Sequence, residues 1–136
     1  METQKGYRKL DVWHKADKLA HQIYAGSDLF LMPSCYEPCG LSQMIALAYG
    51  TIPVVYSTGG LADTIIPYDA HNMLGNGFVF RDYKVKPFVE TIKKAIEVYR
   101  QPQQFDGVIK NGFISDFSWR KSAVEYRDHY QWLLSA

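Results

Sequence analysis

Apolar positions along the first part of the chain follow a helical step. Over residues 7–24, Leu10, Trp13, Ala16 or Asp17, Ala20, Ile23 and Tyr24 recur at three- and four-residue steps, with Lys9, Lys15 and Lys18 off the stripe. That spacing predicts one amphipathic helix, stopped by Gly26. Leu29–Met32 is then a continuous apolar run of four, too short for a helix, and reads as a buried strand of a parallel sheet. Cys39–Tyr49 returns to helical spacing, with Leu41, Met44, Ile45, Leu47 and Ala48 on the inner side and Gly50 as its end. Ile52–Tyr56 is a second buried strand, with Pro53 near its start where a missing N–H is tolerated. Strand, helix and strand over 28 residues make a βαβ unit with an expected right-handed crossover.

The rest of the pattern adds one strand and several helices. Ser57–Gly60 reads as a loop, Leu61–Ile66 as a short helix, Pro67–Gly75 as a polar connection and Gly77–Phe80 as a third strand. Pro87–Arg100 predicts a strong helix striped by Phe88, Ile92, Ala95, Ile96 and Tyr99, and stopped by Pro102. Gln103–Asn111 predicts a weaker helix ended by Gly112, and Ser118 caps a last helix, Trp119–Leu134. The predicted class is α/β, with about three parallel strands, flanking helices and an N-terminal amphipathic helix. A full doubly wound nucleotide fold has five or six strands.

Composition narrows the function classes. The chain has 136 residues, 47% hydrophobic and 21% charged, which suits one folded domain and excludes disorder. Fifteen basic residues against 14 acidic give a net charge of +1, so neither a nucleic acid nor a membrane surface is expected as partner. No apolar run reaches the roughly 20 residues of a membrane span. The polar start resembles no signal peptide, and two cysteines suit a reduced, cytoplasmic, soluble domain. Charge is nonetheless uneven: between Leu19 and Phe80 there is no Lys or Arg, only Asp28, Glu37, Asp63 and Asp69.

Residues 20–64, AHQIYAGSDLFLMPSCYEPCGLSQMIALAYGTIPVVYSTGGLADT, closely resemble bacterial and plant glycogen (starch) synthases, as do GNGFVF at 75–80 and DFSW at 116–119. That resemblance implies a truncated Rossmann-like half domain of GT-B type, the latter part of a donor-binding domain. Its family reaction is retaining transfer of glucose from ADP- or UDP-glucose to α-1,4-glucan. It implies donor-facing roles for Glu37, Cys39, Gly40 and Leu41, and for Thr58, Gly59, Gly60 and Leu61, whose amides would meet the donor phosphates. A carboxylate at Glu37 suits sugar or ribose hydroxyls, and two glycines allow close approach to phosphate. The alternative for Glu37 is that it caps a helix or faces solvent.

There are departures from the family. Broader relatives carry a second Glu at the place of Ile45, though bacterial glycogen synthases also lack it, and often Arg near the places of Ala48 and Tyr56. The family's N-terminal domain and the Arg and Lys that neutralise the pyrophosphate have no counterpart here. No catalytic residue, metal or cofactor is assigned. The leader at 7–24 resembles instead the first helix of small four-helix-bundle proteins encoded near ribosomal RNA insertions. The expected organisation is therefore a chimera, with a leader at 1–18 and a partial GT-B domain at 19–136.

Simpler roles are expected elsewhere. Cys35 and Cys39 are not read as a metal pair with His21 or His71, since zinc spacing wants a second tight pair. His14, His21, His71 and His129 are expected at the surface or as caps, Trp13 as a packing anchor, and Tyr126, Tyr130 and Trp132 as core or interface.

Three functions then compete. An active synthase is disfavoured, because catalysis needs donor and acceptor held between two domains. A residual binding module would hold ADP-glucose or UDP-glucose no tighter than about millimolar, about −4 kcal/mol. The favoured expectation is an inactive folded unit that self-associates as a homo-oligomer through its bare sheet edge.

Overall fold

The computed structural model describes residues 9–135, with side chains from Asp17 onward. In order the elements are α1 (Lys9–Ala25), β1 (Leu29–Met32), α2 (Ser42–Ala48), β2 (Ile52–Tyr56), α3 (Gly59–Thr64), β3 (Phe78–Phe80), α4 (Val85–Tyr99), α5 (Pro102–Ile114) and α6 (Trp119–Ser135). The strands form one parallel sheet in the order β1-β2-β3. Leu29 pairs with Ile52, and Val54 with Phe78. The fold is thus the expected α/β arrangement of three parallel strands flanked by helices.

Helices cover both faces. On one face Ile52, Val54 and Phe78 pack against Ala95 and Val98 of α4 and Phe105 and Val108 of α5. On the other, Val55 packs against Leu47 of α2, Leu61 of α3 and Ile65. Alternation along β2 sends successive side chains to opposite faces, so a central strand must be apolar at every position, as Ile-Pro-Val-Val is. Burying each such side chain stabilises by about 1.5–3 kcal/mol.

Several elements differ from their reading in the sequence. Among the described residues β1 pairs on one side only, and Leu31 is 46% exposed, so β1 is an edge strand there and not a buried one. α2 starts at Ser42, three residues later than expected, because Gly40 turns the chain at φ +68. Its inward residues are Gln43, Ala46 and Leu47, while Leu41 and Ile45 face outward. α3 starts two residues earlier, at Gly59. α5 runs through Gly112, which is no stop: its bare Cα faces Leu47, and a Cβ there would lie 3.0 Å from Leu47 Cδ2. Glycine serves there to bring α5 close to α2.

The terminal helices are less embedded. α6 buries no residue, so Tyr126, Tyr130 and Trp132 belong to no core. In α1 Leu19 and Ile23 are exposed, while the side chains of Leu10, Trp13, His14 and Ala16 lie outside the described residues. Among the described side chains of α1, His21 Nδ1 bonds the Tyr49 hydroxyl, and Tyr24 stacks on Tyr49 and tilts against Phe30. The single hydroxyl proton of Thr51 is shared between Tyr24 O and Ser27 O, the latter at 2.8 Å, closing the helix end.

Candidate functional site

Parallel strands place their following loops at one end of the sheet, where open α/β sheets bind ligands. β1 is followed by Pro33–Leu41, and β2 by Ser57–Thr58. The first segment carries Glu37, Cys39, Gly40 and Leu41, the second carries Thr58, and the first turn of α3 carries Gly59, Gly60 and Leu61; the fold presses these stretches together. The amide of Gly60 donates to Glu37 O at 3.1 Å. A Cβ at Gly59 would stand 2.1 Å from Glu37 O, and one at Gly60 would stand 1.8 Å from Cys39 O. Both are backbone contacts, so only glycine allows this approach.

The individual residues have distinct places. Glu37 is half-buried, and its carboxylate forms no ion pair among the described residues. Cys39 is an exposed free thiol, as is Cys35. Gly40 is buried and holds the turn, while Leu41 is 66% exposed. Leu61 lies fully in the core beneath the loop, so its side chain supports the site and does not face it.

The amides are not all open. Those of Thr58 and Leu61 bond Tyr56 O and Thr58 O at 2.9 and 3.0 Å, and that of Gly60 bonds Glu37. The amides of Cys39, Gly40, Leu41 and Gly59 hold no hydrogen bond among the described residues. Of these unbonded amides, those of Cys39, Leu41 and Gly59 belong to exposed residues, while Gly40 is buried. The glycine pair serves mainly to dock under the neighbouring loop.

Buried polar residues that the hydrophobic pattern did not single out knit this region. Gln43 Nε2 donates to Gly40 O at 2.7 Å and to Thr64 Oγ1 at 3.1 Å. Asn76 accepts from the Ile66 amide at 2.8 Å and donates to Thr64 O and Ser115 Oγ. Their sequence signal was slight: a Gln on what looked like an outward helix position, and an Asn between two glycines.

Two hollows border the loops. One of about 320 Å³ lies among Pro33, Phe80, Tyr83, Lys84 and Phe88, and Tyr83 donates to Pro33 O at 3.2 Å across it. Another, of about 540 Å³, runs between α2 and α5 along Leu41, Ile45 and Phe113. Among the described residues no three His, Cys, Asp or Glu side chains gather as metal ligands, and no helix is long and apolar enough to cross a membrane.

Comparison with known proteins bears on the family and the fold. The sequence profile described as "Glycosyl transferases group 1" matches residues 11–111. A glycogen synthase of Desulforamulus reducens is 54% identical over 116 residues, which are 85% of this chain and 24% of that protein. A glycogen synthase of Bacillus cereus strain Q1 is 50% identical over 118 residues, 87% of this chain and 25% of that protein. Among solved structures, the catalytic domain of starch synthase IV from Arabidopsis thaliana, bound to ADP and acarbose, superposes with a TM-score of 0.73 at 38% identity. That match covers 87% of this chain and 25% of that one. The chain spans about a quarter of the length of the relatives it matches.

Proposed function

The chain belongs to the group 1 glycosyl transferases, and on that premise we propose that its two interlocked loops are one wall of a nucleotide-sugar site that cannot by itself complete glucosyl transfer. The single observation that supports the site is the meeting of the two loops, Gly60 on Glu37 O at 3.1 Å, at the carboxyl ends of adjacent parallel strands. In that reading Glu37 accepts hydrogen bonds from sugar or ribose hydroxyls. The amides of Cys39, Gly40, Leu41 and Gly59 face the donor, Leu61 anchors the loop from below, and Thr58 begins its helix. The donor is ADP- or UDP-glucose, the substrate class of the glycogen and starch synthases that the sequence resembles.

Transfer requires more than this wall. Negative charge develops on the departing nucleotide diphosphate, and preorganised positive charge is what stabilises it. No Lys or Arg occurs between Leu19 and Phe80. Incubation with radiolabelled ADP-glucose and glycogen is expected to give no incorporation, and robust incorporation would refute the reading. Binding of ADP-glucose, followed by NMR or calorimetry, is expected to be no tighter than about millimolar. Micromolar binding that Gly59→Ala abolishes would contradict the charge argument. The unbonded amides at 39–41 favour, as a second reading, a weak nucleotide-binding module.

As a folded unit the chain is read as a self-associating, cytoplasmic homo-oligomer. Support comes from the unpaired outer edge of β1 and the uncovered face of α6. A monodisperse monomer by light scattering at all concentrations would exclude that. The division into a leader at 1–18 and a synthase-derived part at 19–136 is likewise proposed. It is supported by the resemblance of residues 20–64 to glycogen (starch) synthases, which starts only beyond the leader. A variant starting at Leu19 should keep its melting temperature; loss of the cooperative transition would remove the division.

A further inference from the structure

We propose that Gln43 is a positioning residue for the donor wall. Its carboxamide holds the Pro38–Leu41 turn against α3, and so sets where Glu37 and the amides of residues 39–41 face. This rests on the donor-site reading for what is positioned, and on hydrogen bonds alone for how.

Gln43 is 0% exposed, in the first turn of α2. Its Nε2 lies 2.7 Å from Gly40 O, 3.1 Å from Thr64 Oγ1 and 3.3 Å from Cys39 O. A carboxamide has two N–H bonds, so three acceptors share them. Two of these acceptors belong to the first loop, and the third belongs to α3. Thr64 relays the link: its hydroxyl donates to Gly60 O at 2.6 Å. Gly60 in turn donates its amide to Glu37 O. The circuit Gln43, Thr64, Gly60, Glu37 closes on the loop from which it began.

The orientation of the carboxamide is fixed chemically. Gly40 O and Cys39 O only accept, so the nitrogen must face them. Oε1 is then buried with no hydrogen-bond partner. It lies over the bare Cα of Gly40, where a Cβ would come within 2.6 Å of it. An aliphatic residue of similar size would fill this space with no orphaned oxygen. The polar group is accounted for by the carbonyls it holds inward. With the carbonyls of Cys39 and Gly40 turned into the protein, the amides of the same turn keep no internal partner. Gly40 and Gln43 thus act as a matched pair: φ +68 makes the turn, and the side chain locks it.

The test is site-resolved amide hydrogen exchange on the 136-residue chain. Gln43→Met keeps the volume and removes the donor; Thr64→Val keeps the shape and breaks the relay. Exchange at the Gly60 amide, which reports the contact with Glu37, is expected to rise at least about tenfold in both, while Val54 and Val55 in β2 stay within about twofold. An unchanged Gly60 overturns the proposal. So does equal acceleration at Gly60 and Val55, which would mark Gln43 as an ordinary core residue. Should Gln43→Met fail to fold, Thr64→Val decides alone. A separate titration of the wild-type chain with ADP-glucose, read at the amides of residues 39–41 and Gly59, tests the donor reading. Silence there overturns what is positioned, while the exchange data decide the clamp independently.

Discussion

Substituting Gly60 by alanine should cost this protein a measurable part of its stability. The new Cβ would stand 1.8 Å from Cys39 O, 2.5 Å from Cys39 C and 2.8 Å from Cys39 Cα, all backbone atoms. No rotamer change relieves such a contact. Either α3 or the first loop must move, by more than an ångström, and the bond from the Gly60 amide to Glu37 O then goes with it. Overpacking of this kind costs about 1–3 kcal/mol, and the lost hydrogen bond about 1 kcal/mol more. The expected loss is about 2–4 kcal/mol. With unfolding entropy of about 2.1 cal/mol/K per residue, this corresponds to a melting temperature about 7–14 °C lower. Thermal unfolding followed by far-ultraviolet circular dichroism measures it. Gly107→Ala is the control: it sits within α5, and its nearest obstruction is the flexible Met73 Cε at 3.0 Å. There helix propensity should make alanine neutral or stabilising by up to about 1 kcal/mol. If Gly60→Ala melts within about 2 °C of the wild type, or if both variants fall equally, the interlocked-loop argument is wrong.

Other outcomes follow from the same packing. Leu47→Ala removes a 1% exposed side chain between α2, α3 and β2, and denaturant titration should show a loss of about 2–5 kcal/mol. Asn76→Ala leaves the Ile66 amide and Thr64 O unpaired, and should cost about 2–4 kcal/mol by the same assay. The carboxyl of Asp69 lies below the usual carboxylate range, because the His71 amide and then the Asn72 side chain donate to it. A depressed pKa stabilises the fold above the ordinary aspartate value, and that contribution fades as pH falls through the lower, folded value. The His71 amide shift should therefore titrate with a midpoint below about 3.9, and Asp69→Asn should abolish that titration.

The sheet was legible because its signals are local. Four- and five-residue apolar runs and the lengths between them place β1, β2 and the parallel crossover almost to the residue. Hydrophobic spacing failed where tertiary contacts decide. Ile45 resembles a core residue and Gln43 a surface one, yet the carbonyls of the Gly40 turn draw the carboxamide inward and rotate α2 accordingly. Gly112 resembles a helix stop because the sequence does not display Leu47 beside it. The burial of β1 was overstated because a strand's composition does not say whether another strand lies beyond it. The two motif segments singled out in the sequence do touch in the fold, at Gly60 and Glu37. Which amides stay unbonded depends on where Glu37 O and Tyr56 O lie, and that is a property of the fold.

Because α6 buries none of its side chains, melting it uncovers little that folding had hidden. A helix of 17 residues without a packed face is marginal in water, since nucleation is costly and only propensity supports it. Denaturant sensitivity scales with newly exposed surface. The urea slope of this chain should therefore be that of a domain of roughly a hundred residues, with the last helix fraying ahead of it. Cooperativity should end where α5 ends, and a protease acting on the native state should cut between Ser115 and Ser118.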